Sequence, residues 1–436
     1  MLSQKLKEHG VVGAGGAGFP TCVKAEARVE FVLANGAECE PQIHKDVEIM
    51  EHFPAEIVSG IQLMMEATGA RRAKFGIKEK NATALETIRT AAGSRPIDLV
   101  LLGDFYPSGD EYELVHLTTG RLIPPAGLPL QVGCVVNNVE TLYNVHFANE
   151  GVPVTDKFVT VSGAVRQPKT VRVPLGTSFR QVIEMAGGAT TPGFGILVSG
   201  VLMGTLTFDL DEVVTKTTAG LIVLPRDHYL VRRRDRSPES MNRIGKSACD
   251  QCTYCTEFCP RYLLGYEVEP HKVMRSLGFT LTGARNWNQW GQLCCACGLC
   301  TLYACPEDLY PKEACDQAKT DLRAAGIKFE QQSPVRVHPL KEARRTPLAA
   351  LRRKLNIEEY ERPAPLDGLR VSPERVRIKL SQHAGRPARP VVKRGDKVAK
   401  GTVVGRVEAG ELGANVHASI DGTVTAVTEA YVELTR

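Results

Sequence analysis

The sequence is poor in long apolar runs, in aromatic residues and in net charge, and each shortage excludes something. No stretch approaches the ~18–20 continuous apolar residues of a membrane span, so no transmembrane segment is expected. The start, MLSQKLKEHG, lacks the apolar core of a signal peptide, and an intracellular location is expected. Aromatic residues make up 6% of the 436 residues and the formal net charge is only +5. The basic residues gather at 226–236 and 341–354 with no reader motif beside them, which argues against a nucleic-acid partner. Those runs read instead as solvated linkers flanking a cysteine-rich region. With 43% apolar and 24% charged residues, the composition is that of a globular protein long enough for about three domains.

Cysteine is what the chain has in quantity. Nine of its thirteen cysteines fall in two runs, CDQCTYCTEFCP from Cys249 and CCACGLCTLYACP from Cys294. In a reducing compartment clustered cysteines are metal ligands rather than disulfides. The first run, Cys249-x2-Cys252-x2-Cys255-x3-Cys259-Pro260, has the spacing of bacterial ferredoxin iron–sulfur runs. The second repeats it with Cys294, Cys297 and Cys300, then Cys305 and Pro306 after a gap one residue longer. In two-cluster ferredoxins the fourth cysteine crosses to the other cluster. The expected quartets are therefore Cys249, Cys252, Cys255 and Cys305, and Cys294, Cys297, Cys300 and Cys259. Paired C-x2-C also makes structural zinc sites, but two runs that each end in Cys-Pro favour two [4Fe–4S] clusters. Cys295 falls out of phase and is read as a spectator, and Cys22, Cys39, Cys134 and Cys315 as buried thiols.

Residues 1–150 alternate strand-like and helical runs: RVEFVLANG, one long helical stretch from HKDVEIMEHF to MMEATG, RAKFGIKEK, NATALETIRTAAG and IDLVLLGDF. That rhythm predicts an α/β domain with a mainly parallel sheet, whose ligands bind beyond the carboxyl ends of its strands. A shorter β-rich region follows at 155–228, with one helical piece, SFRQVIEMAGG. The cysteines occupy 240–325. A Pro- and Arg-rich linker then leads to a Val- and Gly-rich tail at 371–436, read as a small β sandwich or barrel.

VVGAGGAGFPTCVK (11–24) places Gly13, Gly15, Gly16 and Gly18 within six residues. Such a loop lets backbone N–H groups approach a flat ring or a phosphate. It is not the dinucleotide fingerprint, because no strand precedes it. NGAECEP (35–41), YPSGDEYEL (106–114) and VVNNVETL (135–142) follow, each at a strand end or a helix start.

Together, GAGGAGFPT-x-x-K, NGAECEP, YPSGDE and NNVETL resemble, in the same order, the FMN-binding flavoprotein subunit of respiratory complex I and the C subunit of the Rnf electron-transport complex. The resemblance implies flavin-site roles for Gly13, Gly15, Gly16, Lys24, Asn35, Glu40, Tyr106, Gly109, Asp110, Glu111, Asn137, Asn138 and Thr141. Ala37 stands where complex I has an aspartate, and the segment after GDE is shorter than in complex I. The region 155–228 resembles the soluble ligand-binding β-grasp (SLBB) domain. The tail resembles the barrel-sandwich hybrid domain that begins the Rnf subunit, built like a lipoyl carrier but with His417 in place of a lysine.

The implied fold is multidomain, α/β plus β. It comprises an α/β FMN-binding domain (1–150), a β-grasp-like domain (155–228), an α-helical ferredoxin-like two-cluster domain (240–325) and a barrel-sandwich β domain (371–436). With the sandwich last rather than first, the arrangement is similar to the cobalamin reductases of propanediol-utilisation microcompartments. The implied activity is an NADH-dependent oxidoreductase: NADH as donor, FMN, two [4Fe–4S] clusters, and a cob(III)/cob(II)alamin acceptor in adenosylcobalamin recycling. The implied partners are a corrinoid, an adenosyltransferase and a microcompartment shell protein, in the cytoplasm inside a bacterial microcompartment. No side chain is expected to act as nucleophile or general acid. Two other readings stay open: a relay subunit of a larger complex without turnover of its own, and a binding module.

Overall fold

The computed structural model describes residues 1–278, 288–328, 330–369, 371–408 and 410–436. Residues 279–287 of the cysteine region and Ala409 of the tail lie outside them.

The N-terminal region holds a four-stranded parallel sheet in the order Ile97–Leu102, Arg72–Lys78, Phe31–Gly36, Cys134–Asn138. Its strands are apolar on both faces because both are covered. Val32 and Ala34 pack toward Ile57, Ile61 and Leu142, while Leu33 packs with Leu102, Leu114 and Val136 on the other side. The chain builds outward from Phe31–Gly36 and then returns to its other side with Cys134–Asn138. Strand order reverses there, and such a reversal opens a crevice at the carboxyl ends. Asn35 and Asn138 are register partners at that end.

The long helical stretch is two helices, Lys45–His52 and Pro54–Thr68. Phe53 leaves helical geometry (φ −131°, ψ 43°), as the residue before a proline tends to, and Pro54 opens the second helix. That helix crosses Val139–Asn149 at Gly60, where a Cβ would lie 2.1 Å from the Leu142 carbonyl oxygen.

The β-grasp region is a five-stranded mixed sheet, with the helix Phe179–Met185 capped by Ser178 and Gln181 in a reciprocal box. The tail forms two facing sheets, of four and three strands, around Val376, Ile378, Val404, Val416, Val424 and Val432. His417 is not at an exposed tip; it is 2% exposed in the strand Val416–His417. The tail packs back on the start of the chain. Ala384 N–H donates to the Gly18 carbonyl (2.9 Å) and Asn415 N–H to the Lys7 carbonyl (3.2 Å). Lys216 of the β-grasp region reaches into the same junction, its Nζ donating to the carbonyls of Gly10 (2.7 Å) and Asn415 (2.8 Å).

The basic runs are only partly solvated: Arg226, Arg232, Arg236, Arg353 and Lys354 are exposed, whereas others pack between domains. Arg233 is buried and donates to the carbonyls of Thr301 (3.0 Å) and Leu309 (2.9 Å), while Arg234 donates to the Val201 carbonyl (3.0 Å). Lys341 forms a buried pair with Glu113 (2.5 Å), and Thr346–Pro347 adds a short strand to Phe105–Tyr106. The guanidinium fork supplies several donors at once, which suits it to loop carbonyls that the neighbouring domain leaves unpaired. Excess positive charge here is mortar between domains. No helix among the described residues is long and apolar enough to cross a membrane.

Candidate functional site

A cavity of about 720 Å³ lies over the carboxyl end of the parallel sheet. Of the residues the sequence singles out, Gly15, Gly16, Asn35, Glu40, Tyr106, Gly109, Asp110, Glu111 and Asn138 line it. Gly13, Lys24, Asn137 and Thr141 stand behind that wall. Gly13 N–H donates to the Phe19 carbonyl (2.9 Å) and closes the glycine loop; Thr141 Oγ1 accepts from Ala14 N–H (2.9 Å) and ties the loop to the helix Val139–Asn149. Lys24 donates to the Val136 carbonyl (2.5 Å); burial holds its amine below the ordinary lysine range, with Glu111 acting in the opposite direction.

The residues present suit a flat polar ligand. Gly16 has φ +124° and nothing within 4 Å of where its Cβ would be, so the loop leaves that space open. Asn137 is 2% exposed, yet both its amide nitrogen and its amide oxygen lack a hydrogen-bond partner. A buried amide with both ends unpaired is costly, and this one lies behind the cavity lining rather than in it.

Not every marked side chain is free for a ligand. Both oxygens of Glu40 are engaged across the domain boundary, accepting from the N–H groups of Val201 (3.1 Å), Leu202 (3.2 Å) and Met203 (2.7 Å). Asp110 Oδ1 caps the helix Glu111–Thr119 and its Oδ2 accepts from Arg261 (3.0 Å). The Tyr106 hydroxyl donates to the Cys297 carbonyl (2.8 Å), linking the cavity wall to the second cysteine run.

Sequence reasoning missed the floor of the site. Lys45 is buried between Asp46 (2.5 Å) and Glu140 (2.9 Å), Lys157 pairs with Glu140, and Asn138 donates to Asp46 (2.7 Å). Glu38 accepts from Asp46 N–H (2.7 Å) and Val47 N–H (3.1 Å). A charged residue on an amphipathic helix ordinarily faces water, so nothing in the pattern of 44–52 marked Lys45 and Asp46 as buried.

Burial first, and Asp46 second, push the Glu38 carboxyl up to about 8. The folded state therefore keeps a proton that the unfolded chain has lost, and the stabilising contribution present below about 4.5 is lost as pH rises through about 8. Glu38→Gln is expected to flatten that slope. Its advantage in denaturation midpoint over the parent chain should widen between pH 5 and 8 and then level off; a constant difference would refute the assignment.

Both cysteine runs fold alike. Gln251 and Thr253 have φ +60° and +69°; Ala296 and Gly298, at the same places in the second run, have φ +57° and +79°. The shared conformation sets Cys294, Cys297 and Cys300 in register with Cys249, Cys252 and Cys255. Cys249, Cys252, Cys255 and Cys305 surround one small void. Cys259, Cys294, Cys297 and Cys300 are each less than a tenth exposed. Cys259 acts electrostatically with Cys295 and Cys294, Cys297 interacts with Cys295, Cys300 and Cys259, and Cys294 hydrogen-bonds with Cys315. Among the described residues, no three His, Cys, Asp or Glu side chains form a site for a single metal ion. Cys295 lines the cavity, with Cys297 and Cys39. Cys22, Cys134 and Cys315 are buried thiols.

Family models match the four regions in turn. Residues 6–147 match the Nuo51 FMN-binding domain, 158–204 the SLBB domain, 248–310 the 4Fe-4S dicluster domain and 362–436 the RnfC barrel sandwich hybrid domain. The chain is 40% identical over 437 aligned residues to the cobalamin reductase PduS of Salmonella typhimurium, a match that covers 100% of this chain and 96% of that protein.

The chain belongs to the PduS family.

The PduS of Citrobacter freundii is 39% identical over the same span. In Clostridium ljungdahlii, the C subunit of the proton-translocating ferredoxin:NAD(+) oxidoreductase complex is 33% identical over 264 residues, 59% of this chain and 55% of that protein. This PduS-family chain is thus an oxidoreductase of the FMN and iron–sulfur electron-transfer type.

Proposed function

We propose that this chain passes electrons from NADH, by way of FMN and two [4Fe–4S] clusters, to the cobalt of a corrinoid. The observation that carries the reading is that a single cavity is walled by the glycine loop on one side and by Cys295 and Cys297 on the other. The stoichiometry is one NADH oxidised to NAD+ and a proton for every two corrinoid centres reduced by one electron. Bound FMN supplies the exchange between a two-electron donor and one-electron carriers.

The chain's own residues hold, orient and insulate. In this reading Gly15 and Gly16 let backbone approach the ring, Asn35, Gly109, Glu111 and Asn138 line the pocket, and Lys24 and Asn137 support it from behind. Gly13 and Thr141 fix the loop. Glu40, Tyr106 and Asp110 lock the flavin domain to the β-grasp and cysteine regions, which keeps the electron path short. Cys249, Cys252, Cys255 and Cys305 hold one cluster; Cys259, Cys294, Cys297 and Cys300 hold the other. The identity of the acceptor rests on the kinship with cobalamin reductases, as do an adenosyltransferase partner, a shell protein and a microcompartment setting.

Anaerobic protein mixed with NADH and cob(III)alamin tests the proposal. Cobalt reduction well above that given by free FMN is expected. A rate equal to free FMN would remove the corrinoid assignment, and a flavin that NADH fails to bleach in the isolated chain would favour a relay role within a larger complex.

A further inference from the structure

Arg261 follows the Cys-Pro pair that ends the first cysteine run, and it is 8% exposed. Three groups fix it. Asp110 Oδ2 accepts from Nη2 at 3.0 Å, the Tyr112 ring lies under it at 3.5 Å from the centroid, and Tyr266 flanks it at 6.0 Å. Its Nη1 is buried and has no hydrogen-bond partner. Asp110 and Cys295 both line the cavity, and Cys295 acts on the guanidinium as a charge and as a hydrogen-bonding neighbour. The backbone N–H groups of Arg261 and Tyr262 act on the sulfur of Cys259. A permanent positive charge thus stands at the cavity wall beside Cys295, two residues after Cys259 of the second quartet.

A salt bridge to Asp110 alone does not account for this arrangement. A buried ionic donor left unpaired is costly, and the sulfurs of a cluster are acceptors that the bare protein does not contain. We infer that Arg261 is a positioning residue that raises the reduction potential of the cluster held by Cys259, Cys294, Cys297 and Cys300, with Asp110 aiming the guanidinium and Nη1 donating to a sulfur. Reduction adds one negative charge to a cluster; a fixed cation in a low-dielectric setting favours that state. The cluster beside the cavity is thereby made the better first acceptor. The inference rests on the quartets being cluster ligands.

The test is an EPR-monitored redox titration of the anaerobically prepared full chain and of Arg261→Met, Arg261→Lys and Asp110→Asn. In Arg261→Met one of the two clusters should become about tenfold harder to reduce, about 59 mV for a one-electron couple, while the other stays put. Arg261→Lys, which keeps the charge but not the planar fork, should fall between. Asp110→Asn keeps the helix cap and removes a negative charge, so the same potential should rise. A fall confined to one cluster and graded from Met to Lys is what a merely structural role cannot produce. Potentials unchanged in both Arg261→Met and Asp110→Asn, or two clusters moving together, overturn the inference. Where Arg261→Met fails to assemble, Arg261→Lys decides: a smaller fall confined to one cluster supports it and no change overturns it. A parent chain without iron sinks the quartet reading instead.

Discussion

Cys300→Ala is expected to strip about half of the iron from the protein, from about eight atoms per chain to about four, and to bring acceptor reduction down to background. Each [4Fe–4S] cube needs a thiolate on every iron. Cys300 is buried in the second run, at a backbone position equivalent to Cys255. Water cannot substitute easily at a site with so little solvent access. Bleaching of the flavin by NADH should survive, because the cavity and its glycine loop remain. Cys295→Ser is the matched control. Its position corresponds to Asp250 of the first run, which is no candidate ligand, so iron content should be unchanged. Iron and sulfide analysis with visible spectra reads both variants. Full iron in Cys300→Ala, or loss of iron in Cys295→Ser, would show that the register is wrong.

Glu140→Ala should cost the fold about 3–5 kcal/mol, the usual penalty for removing one partner from a buried ion pair. Glu140 is 1% exposed and meets Lys45 at 2.9 Å and Lys157 more closely still, while its Oε1 accepts from Phe158 N–H at 3.3 Å. Truncation leaves two buried ammonium groups sharing the remaining carboxylates, and Lys45 and Asp46 are part of the cavity lining. Flavin affinity should therefore fall together with the urea midpoint. Burial raises the Glu140 carboxyl, but Lys157 and then Lys45 outweigh it and hold it below the ordinary range. Its contribution is thus present above the unfolded carboxylate value and is lost as acid takes the pH down through the folded one. The Glu140→Ala penalty should be full at pH 7 and shrink toward pH 3. Replacing Glu140 and Lys157 together by Met should cost less than Glu140→Ala alone, because apolar partners of similar volume leave less charge stranded. An Ala variant as stable as the parent at pH 7 would mean that the pair is not buried as described.

Sequence alone determined the inventory: four regions in order, two cysteine runs with cluster spacing, and a glycine loop with three companion motifs. These were legible because each is local. Thiolate spacing, glycine clustering and the strand–helix rhythm are properties of a few consecutive residues, and family models match the same four regions. What tertiary structure decided is which side chains meet across large separations. Glu40 engages backbone more than 160 residues later, Arg261 reaches back to Asp110, and Lys216 joins the first turn of the chain to the last domain. The sandwich domain, last in sequence, packs against residues 7–18 near the start of the chain. Basic runs read as solvated because charge ordinarily seeks water; here folding presents them with unpaired carbonyls and carboxylates, and burial becomes favourable. Partners of that kind are set by chain geometry, and no window of sequence contains them.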